Sequence, residues 1–139
     1  MLFRSRDLLE DRLRLEELPQ LWRDKMKTYL GIVPPTDREG VLQDVHWSLG
    51  AIGYFPTYTL GNLYAVQFFN QARRDLPDLS DRIARGDLLS LKVWLNERIH
   101  RWGRLYTADE LVRRVTGEPL TPDHFLTYLE HKYGELYKL

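Results

Sequence analysis

The sequence predicts an all-α protein: a compact array of about six to seven helices with a glycine-rich aromatic loop. Three observations predict this fold class. Apolar residues recur at helical spacing in most segments of the 139-residue chain. Two Thr-x-x-Glu capping boxes, beginning at Thr36 and Thr107, mark helix starts. No run of alternating apolar and polar residues is long enough to predict a strand.

Two helical segments precede the loop. Residues 4–15 show a weak helical pattern. Residues 18–30 show a stronger one, because Pro19 suits a first helical turn and Gly31 suits the residue that follows a helix. The first capping box then predicts a short helix over residues 36–44.

The second half of the chain predicts further helices. Pro56 opens a segment that ends by Pro77, and its many apolar positions predict a helix buried on most sides. The later helical segments begin and end at glycine, proline and threonine residues in helix-cap positions. These segments are residues 78–85, 88–102 and 107–115, and a last helix that begins after 121–122. A chain of this length suits one domain, which we predict to span residues 1–139.

Composition excludes several classes of protein. There are 20 Lys and Arg and 20 Asp and Glu residues, so the zero net charge gives no electrostatic basis for nucleic-acid binding. The absence of cysteine excludes disulfides and thiolate metal sites. No apolar run approaches the roughly 20 residues that cross a bilayer, and the N-terminus lacks the apolar segment of a signal peptide. We therefore expect a cytoplasmic protein with neither a nucleic-acid nor a membrane partner.

The most unusual segment is residues 40–61, GVLQDVHWSLGAIGYFPTYTLG. It places His46 between Asp44 and Trp47, and glycine recurs at close intervals. Loops that hold a histidine, an acid and tyrosines often carry function. Two interpretations of Asp44 and His46 are equally open: a functional pair, or polar residues that satisfy nearby backbone groups.

The remaining histidines and the loop tyrosines give weaker signals. No H-E-x-x-H is present. His124 and His131 fall on one predicted helix about 10 Å apart, too far to share a metal without a third element. These two and His100 are expected at the surface, and composition alone favours core aromatic positions with solvated hydroxyls for Tyr54 and Tyr58.

Residues 40–47, GVLQDVHW, match the G-x-x-Q-D-x-H-W signature of the carboxypeptidase Taq family of zinc-type metallocarboxypeptidases, which the chain resembles. The motif has five fixed positions, so the match is specific. The resemblance extends over nearly the whole chain, from about Leu8 onward. The flanking segments that are similar are Leu18-Pro19 with Trp22, Lys25-Met26, Tyr29-Leu30-Gly31, residues 53–65, Tyr128-Leu129, Lys132-Tyr133 and Leu136-Tyr137.

The resemblance is to the C-terminal part of such an enzyme. Family members are several-fold longer, and their H-E-x-x-H helix, a Glu metal ligand and an I-R-x-x-A-D motif lie upstream of the matching region. Full-length members use a divalent metal, zinc or cobalt, to activate water against a peptide substrate. The 139-residue chain has none of those upstream motifs. The resemblance therefore implies that this chain alone binds no metal and is inactive.

The family chemistry implies roles for the loop residues. By this analogy, His46 donates a hydrogen bond to the tetrahedral oxyanion or to the substrate backbone. A phenol comes from Tyr58, which we prefer, or from Tyr54. Asp44 orients His46 and keeps one of its nitrogens protonated. Two further residues are expected to form the wall of the substrate site: Gln43 and Trp47.

Two alternatives to the carboxypeptidase hypothesis stand beside it. The first is a non-enzymatic helical module that keeps the scaffold and associates with itself through an apolar face. The second is a small independent enzyme that uses His46 and Asp44 as an acid–base pair, for which the sequence offers no nucleophile or oxyanion partner. The carboxypeptidase hypothesis itself predicts an exposed apolar patch and a homo-oligomer, because the longer enzymes cover this helical surface and resemble homodimers.

Overall fold

The computed structural model describes residues 2–138, and within that range it contains seven α-helices and no strand. The all-α prediction is therefore confirmed. The helices are α1 Leu2–Leu9, α2 Leu18–Leu30, α3 Pro56–Asp75, α4 Leu79–Ala84, α5 Leu89–Arg98, α6 Ala108–Thr116 and α7 Asp123–Tyr137. Short 3₁₀ turns lie at Leu15–Glu17, Val41–Gln43, Val45–Leu49 and His100–Trp102. None of these helices is both long and apolar enough to cross a membrane.

The contacts divide the chain into two compact units that meet in sequence between Thr59 and Leu60. The first unit carries α1, α2, the glycine-rich loop and the start of α3. The second unit carries the rest of α3 and the four later helices. One domain over residues 1–139 stays a prediction.

The two helices at the start of the chain end at left-handed residues. α2 has the predicted bounds, and Gly31 closes it with φ +70° and an N–H bond to the Lys27 carbonyl. α1 ends at Leu9, earlier than the predicted segment 4–15. The chain turns there because Asp11 takes φ +54°, a conformation that interrupts a right-handed helix.

The predicted helix over residues 36–44 is wrong. The Glu39 N–H bonds to the Thr36 hydroxyl at 3.3 Å, as in a cap, but turns and a 3₁₀ turn follow instead of an α-helix. Gly40 has φ −111° and ψ −112°, which lie outside the helical region. A side chain at Gly40 would place its Cβ only 3.3 Å from Cδ1 of Trp22. The glycine therefore lets the loop pack closely against α2.

The core of the second unit is built where α3, α4, α5 and α6 meet. Each helix contributes one buried apolar side chain to it: Ala72, Leu79, Trp94 and Val115. The indole Nε1 of Trp94 also donates to Asp75 Oδ2 at 2.8 Å, which satisfies its buried polar atom. The helices predicted over 78–85, 88–102 and 107–115 are confirmed as α4, α5 and α6, with ends shifted by a few residues.

The prediction that α3 is buried on most sides is wrong for the residues described. Only Gln67 and Ala72 of its 20 residues are buried. Helices of the second unit cover one side of α3, and large apolar side chains such as Leu60 and Phe69 stay exposed. Whether such side chains form the exposed apolar patch expected from the sequence stays a prediction.

Candidate functional site

The glycine-rich loop brings the first turn of α3 back to His46. His46 lies in the 3₁₀ turn Val45–Leu49, which Gly50 ends with φ +73°. The Ala51 N–H returns to the His46 carbonyl at 2.9 Å, and α3 then begins at Pro56. The site is thus built from residues that are close in sequence, within the first unit.

Both ring nitrogens of His46 have polar partners. Nδ1 lies 3.2 Å from Asp44 Oδ1, and Nε2 lies 3.2 Å from the Tyr58 hydroxyl. A carboxylate only accepts hydrogen bonds, so Nδ1 carries a proton and donates it to Asp44. Nε2 then accepts from the Tyr58 hydroxyl while the ring is neutral, and donates to it once the ring is protonated.

Tyr54 and Tyr58 contact the imidazole in different ways. The Tyr54 ring stacks on His46 with centroids 5.1 Å apart and planes at 24°. Phe55 meets the imidazole edge-on at 5.3 Å. Tyr58 presents its hydroxyl to Nε2, with the rings tilted. Both tyrosines are about half exposed, so the expectation of core aromatic positions is wrong. The Tyr58 hydroxyl is hydrogen-bonded to His46, and the Tyr54 ring packs on the His46 imidazole.

The carboxylate of Asp44 is buried and forms an ion pair with Arg4. The Arg4 and Asp44 side chains are 7% and 3% exposed, and Arg4 Nη2 donates to Asp44 Oδ2. The guanidinium lies between two indole rings, 5.0 Å from the centroid of Trp22 and 4.3 Å from that of Trp47. Such cation–π contacts strengthen when they are desolvated. Three elements, α1, α2 and the loop, therefore meet at this ion pair.

Sequence reasoning missed Arg4. It is 40 residues from Asp44, and nothing in the local pattern separates it from Arg6 two positions later. Arg6 is exposed and pairs with Glu10 on the same helix turn. The one signal in the sequence was an acid, Asp44, in an aromatic loop without a nearby basic residue to pair with it.

The two residues expected to form the wall of the substrate site have identified contacts. Gln43 is exposed, and its Nε2 donates to the Arg38 carbonyl at 2.6 Å. Trp47 covers the guanidinium of Arg4. Contact with a substrate stays a prediction for both residues.

The remaining histidines do not assemble a metal site. No group of three or more His, Asp or Glu side chains in the described part of the chain is placed to hold a metal ion. His124 is not a surface residue as expected, since it is only 18% exposed and bonds to Glu118 Oε1 at 2.8 Å and Asn70 at 3.2 Å. His100 is exposed and bonds to Asn96. The side chains described here do not fit a metal.

Comparison with known proteins gives concordant results in sequence and structure. Residues 5–133 match the family model described as carboxypeptidase Taq (M32) metallopeptidase. The thermostable carboxypeptidase 1 of Thermus thermophilus is 48% identical over 130 residues, which are 94% of this chain and 26% of that protein. The chain thus spans about a quarter of the length of the curated relatives it matches.

Two solved structures show the same fold over nearly the whole chain. The M32 carboxypeptidase from Deinococcus radiodurans R1 superposes with a TM-score of 0.92 and 40% identity, covering 99% of this chain and 28% of that one. The metallocarboxypeptidase 1 of Trypanosoma cruzi superposes with a TM-score of 0.86 and 45% identity, covering 93% of this chain and 27% of that one.

Proposed function

The chain belongs to the carboxypeptidase Taq (M32) metallopeptidase family, and we propose that it carries the substrate-side residues of a metallocarboxypeptidase, which releases C-terminal amino acids from peptides. One observation supports this function above the others. Asp44, His46 and Tyr58 form a continuous hydrogen-bonded series that ends at a tyrosine 53% exposed to solvent. A donor that is oriented from behind and accessible in front suits a reacting oxygen.

The proposed chemistry follows from where the protons lie. Hydrolysis of a peptide bond places negative charge on the former carbonyl oxygen, and fixed donors lower the barrier by meeting that charge. With Nδ1–H bonded to Asp44, a protonated His46 ring offers its second proton at Nε2. That proton goes either to the substrate oxygen or to Tyr58, whose hydroxyl then donates its own proton outward. Tyr54 keeps the imidazole plane in place by stacking on it.

The metal chemistry of the family has no counterpart among the described side chains. In the family, a divalent metal such as zinc or cobalt lowers the pKa of bound water. The contribution that we propose for this chain is limited to hydrogen bonds that orient the substrate and stabilise charge. The 139 residues alone are therefore expected to show no turnover, and clear carboxypeptidase activity or tight stoichiometric metal in the purified chain would contradict this.

The donor role of His46 is tested in a full-length relative. Replacing the histidine equivalent to His46 by Ala should lower kcat by roughly 10²–10³, the effect of removing one oxyanion donor. The matched control replaces the residue at the position equivalent to His124, which should leave kcat near its starting value. Equal rates for the enzyme and its His46→Ala variant would refute the donor role.

Self-association is a second candidate, favoured by the exposed apolar side chains of α3. A homo-oligomer would cover that surface, and exposed apolar patches of this kind often mark interfaces. Sedimentation at low protein concentration distinguishes a monomer from an oligomer. The peptide substrate, the cytoplasmic location and the choice of metal stay predictions.

A further inference from the structure

The two carboxylate oxygens of Asp44 are assigned to different partners. Oδ1 faces His46 Nδ1 at 3.2 Å, and Oδ2 accepts from Arg4 Nη2. Both charged side chains are more than nine-tenths buried. A carboxylate held at one oxygen by a rigid donor cannot rotate freely, so the position of the other oxygen is fixed as well.

The surroundings of Arg4 suit a guanidinium. The guanidinium carbon lies over both the Trp22 and the Trp47 ring, and a planar guanidinium stacks well on such aromatic faces. Among the residues that the structure describes, Asp44 is the hydrogen-bond partner of the Arg4 side chain, and Arg4 Nε has none. The polar part of the guanidinium is therefore directed at Asp44.

We propose that Arg4 is a positioning residue for His46. By holding Oδ2 of Asp44, Arg4 fixes the orientation of the carboxylate, so that Oδ1 stays on His46 Nδ1 and Nε2 is left to Tyr58. The proposal extends the function proposed above, because the proton that His46 presents at Nε2 depends on which nitrogen is already occupied. It concerns side chains of this chain alone, so no loaded enzyme is needed to test it.

The substitution Asp44→Asn makes the role of Arg4 visible. Arg4 donates only, so it will take the oxygen of the new amide and turn the amide NH₂ toward His46. His46 Nδ1 must then accept, and the neutral ring changes to the tautomer with hydrogen on Nε2. If Arg4 exerts no such control, the amide oxygen is free to face His46 and the original tautomer persists.

The experiment reads the His46 ring nitrogens by NMR in the ¹⁵N-labelled chain, at a pH where imidazoles are neutral. The wild-type ring should be the Nδ1–H tautomer, and Asp44→Asn should convert most of the population to Nε2–H. The double variant Arg4→Met/Asp44→Asn should recover Nδ1–H, because the amide oxygen is released. Arg6→Met, on the exposed face of α1, is the matched control and should leave the His46 signals unchanged.

Two outcomes overturn the proposal: Asp44→Asn keeps the Nδ1–H tautomer, or the double variant shows the same tautomer ratio as Asp44→Asn. If Asp44→Asn does not fold, Arg4→Met replaces it. Without Arg4 the carboxylate is no longer held at Oδ2, so the Nδ1–H proton of His46 should exchange with water faster than in the wild type. An unchanged exchange rate of the Nδ1–H proton in Arg4→Met overturns the proposal.

The failures of the two proposals are distinguishable. The tautomer measurement involves no catalysis, so it can fail while His46→Ala still lowers kcat in the full-length relative. Conversely, an unchanged kcat would remove the donor role and leave the control of the His46 ring by Arg4 in place.

Discussion

His46 in the first unit and His124 in the second have the same pattern of hydrogen bonds. Each ring is about one-fifth exposed, with an acid at one nitrogen and a neutral polar group at the other. The acids differ, because Asp44 is 3% exposed and paired with buried Arg4, whereas Glu118 is 41% exposed. The hydrogen bonds of a histidine thus do not by themselves identify a functional site. The burial of the acid that contacts the ring distinguishes His46 from His124.

The neutral partners differ as well. On His46 the far partner is the hydroxyl of Tyr58, a residue that reaches solvent. On His124 the far partner is Asn70, so the ring connects α7 to α3 within the second unit. A histidine whose hydrogen-bond partner is exposed to solvent can act on a substrate. A histidine whose partner belongs to another helix contributes to stability instead.

The largest effect should come from removing the two acids. Asp44→Ala leaves Arg4 as an uncompensated buried charge, which should lower the free energy of unfolding by about 3–5 kcal/mol. Glu118→Ala removes a partly exposed partner of His124 and should cost about 1 kcal/mol or less. Urea denaturation followed by circular dichroism measures both values. Similar losses in the free energy of unfolding for the two variants would show that Asp44 and Glu118 contribute equally to stability.

The next largest effect is the loss of stability when a polar side chain of the second unit, Gln67 or His124, is replaced. Gln67 is 1% exposed, donates to the Pro119 carbonyl at 2.9 Å and accepts from the Thr121 N–H at 3.1 Å. Gln67→Leu leaves both backbone groups without this partner and should cost about 2–4 kcal/mol. His124→Gln should cost about 1 kcal/mol.

The melting temperatures of Gln67→Leu and His124→Gln show which of the two residues contributes more to stability. If His124→Gln is the more destabilising, then His124 is as important to its unit as Asp44 is to the first, and the contrast between the units is lost. Gln71→Leu, on the same helix, is a control for the change of amide to alkyl, because the Gln71 amide bonds to neighbours on α3.

The smallest effect is a pH dependence at the start of α6. The backbone N–H and the hydroxyl of Thr107 both donate to Glu110 Oε2 at 2.8 Å, and these bonds lower the pKa of Glu110 below its usual 4.5. Because the folded value is the lower one, the stabilisation is complete above pH 4.5 and is lost as the pH falls through the folded pKa.

Glu110→Gln should therefore flatten the fall of the melting temperature between about pH 5 and pH 3. A scan of melting temperature against pH for both proteins measures the difference. An identical acid slope would show that the capping carboxylate does not contribute. Glu135→Gln is a suitable control, because Glu135 is an exposed carboxylate that belongs to α7 rather than to the start of α6.

Local chemistry made much of the fold predictable. Gly31, Pro56 and the Thr107 capping box set helix ends through contacts within a few residues, and the helices begin or end there. The same local reasoning failed over residues 36–44, where Gly40 is closely surrounded by Thr36, Pro34 and Trp22 and lies outside the helical region despite a good capping sequence.

The candidate site was predictable only in part. Asp44 and His46 lie in one motif, and Tyr58 follows within 15 residues of Asp44, so sequence reasoning could propose the three together, with Tyr54 as the alternative phenol. Arg4 joins them through a contact across 40 residues that depends on how α1 meets the loop. Burial likewise depends on which surfaces meet, so the apolar pattern of α3 could not show that most of the helix is exposed.

The buried pair of Arg4 and Asp44 also constrains how this sequence can diverge. Replacing Asp44 alone leaves the Arg4 charge buried against two tryptophans, and replacing Arg4 alone leaves the buried Asp44 carboxylate with His46 as its partner, so each single step is unfavourable. Replacing both removes the isolated charge, which makes the pair strongly epistatic. Lineages of this segment should therefore keep both residues or lose both, and a chain with only one of them should carry a compensating change at Trp22 or Trp47.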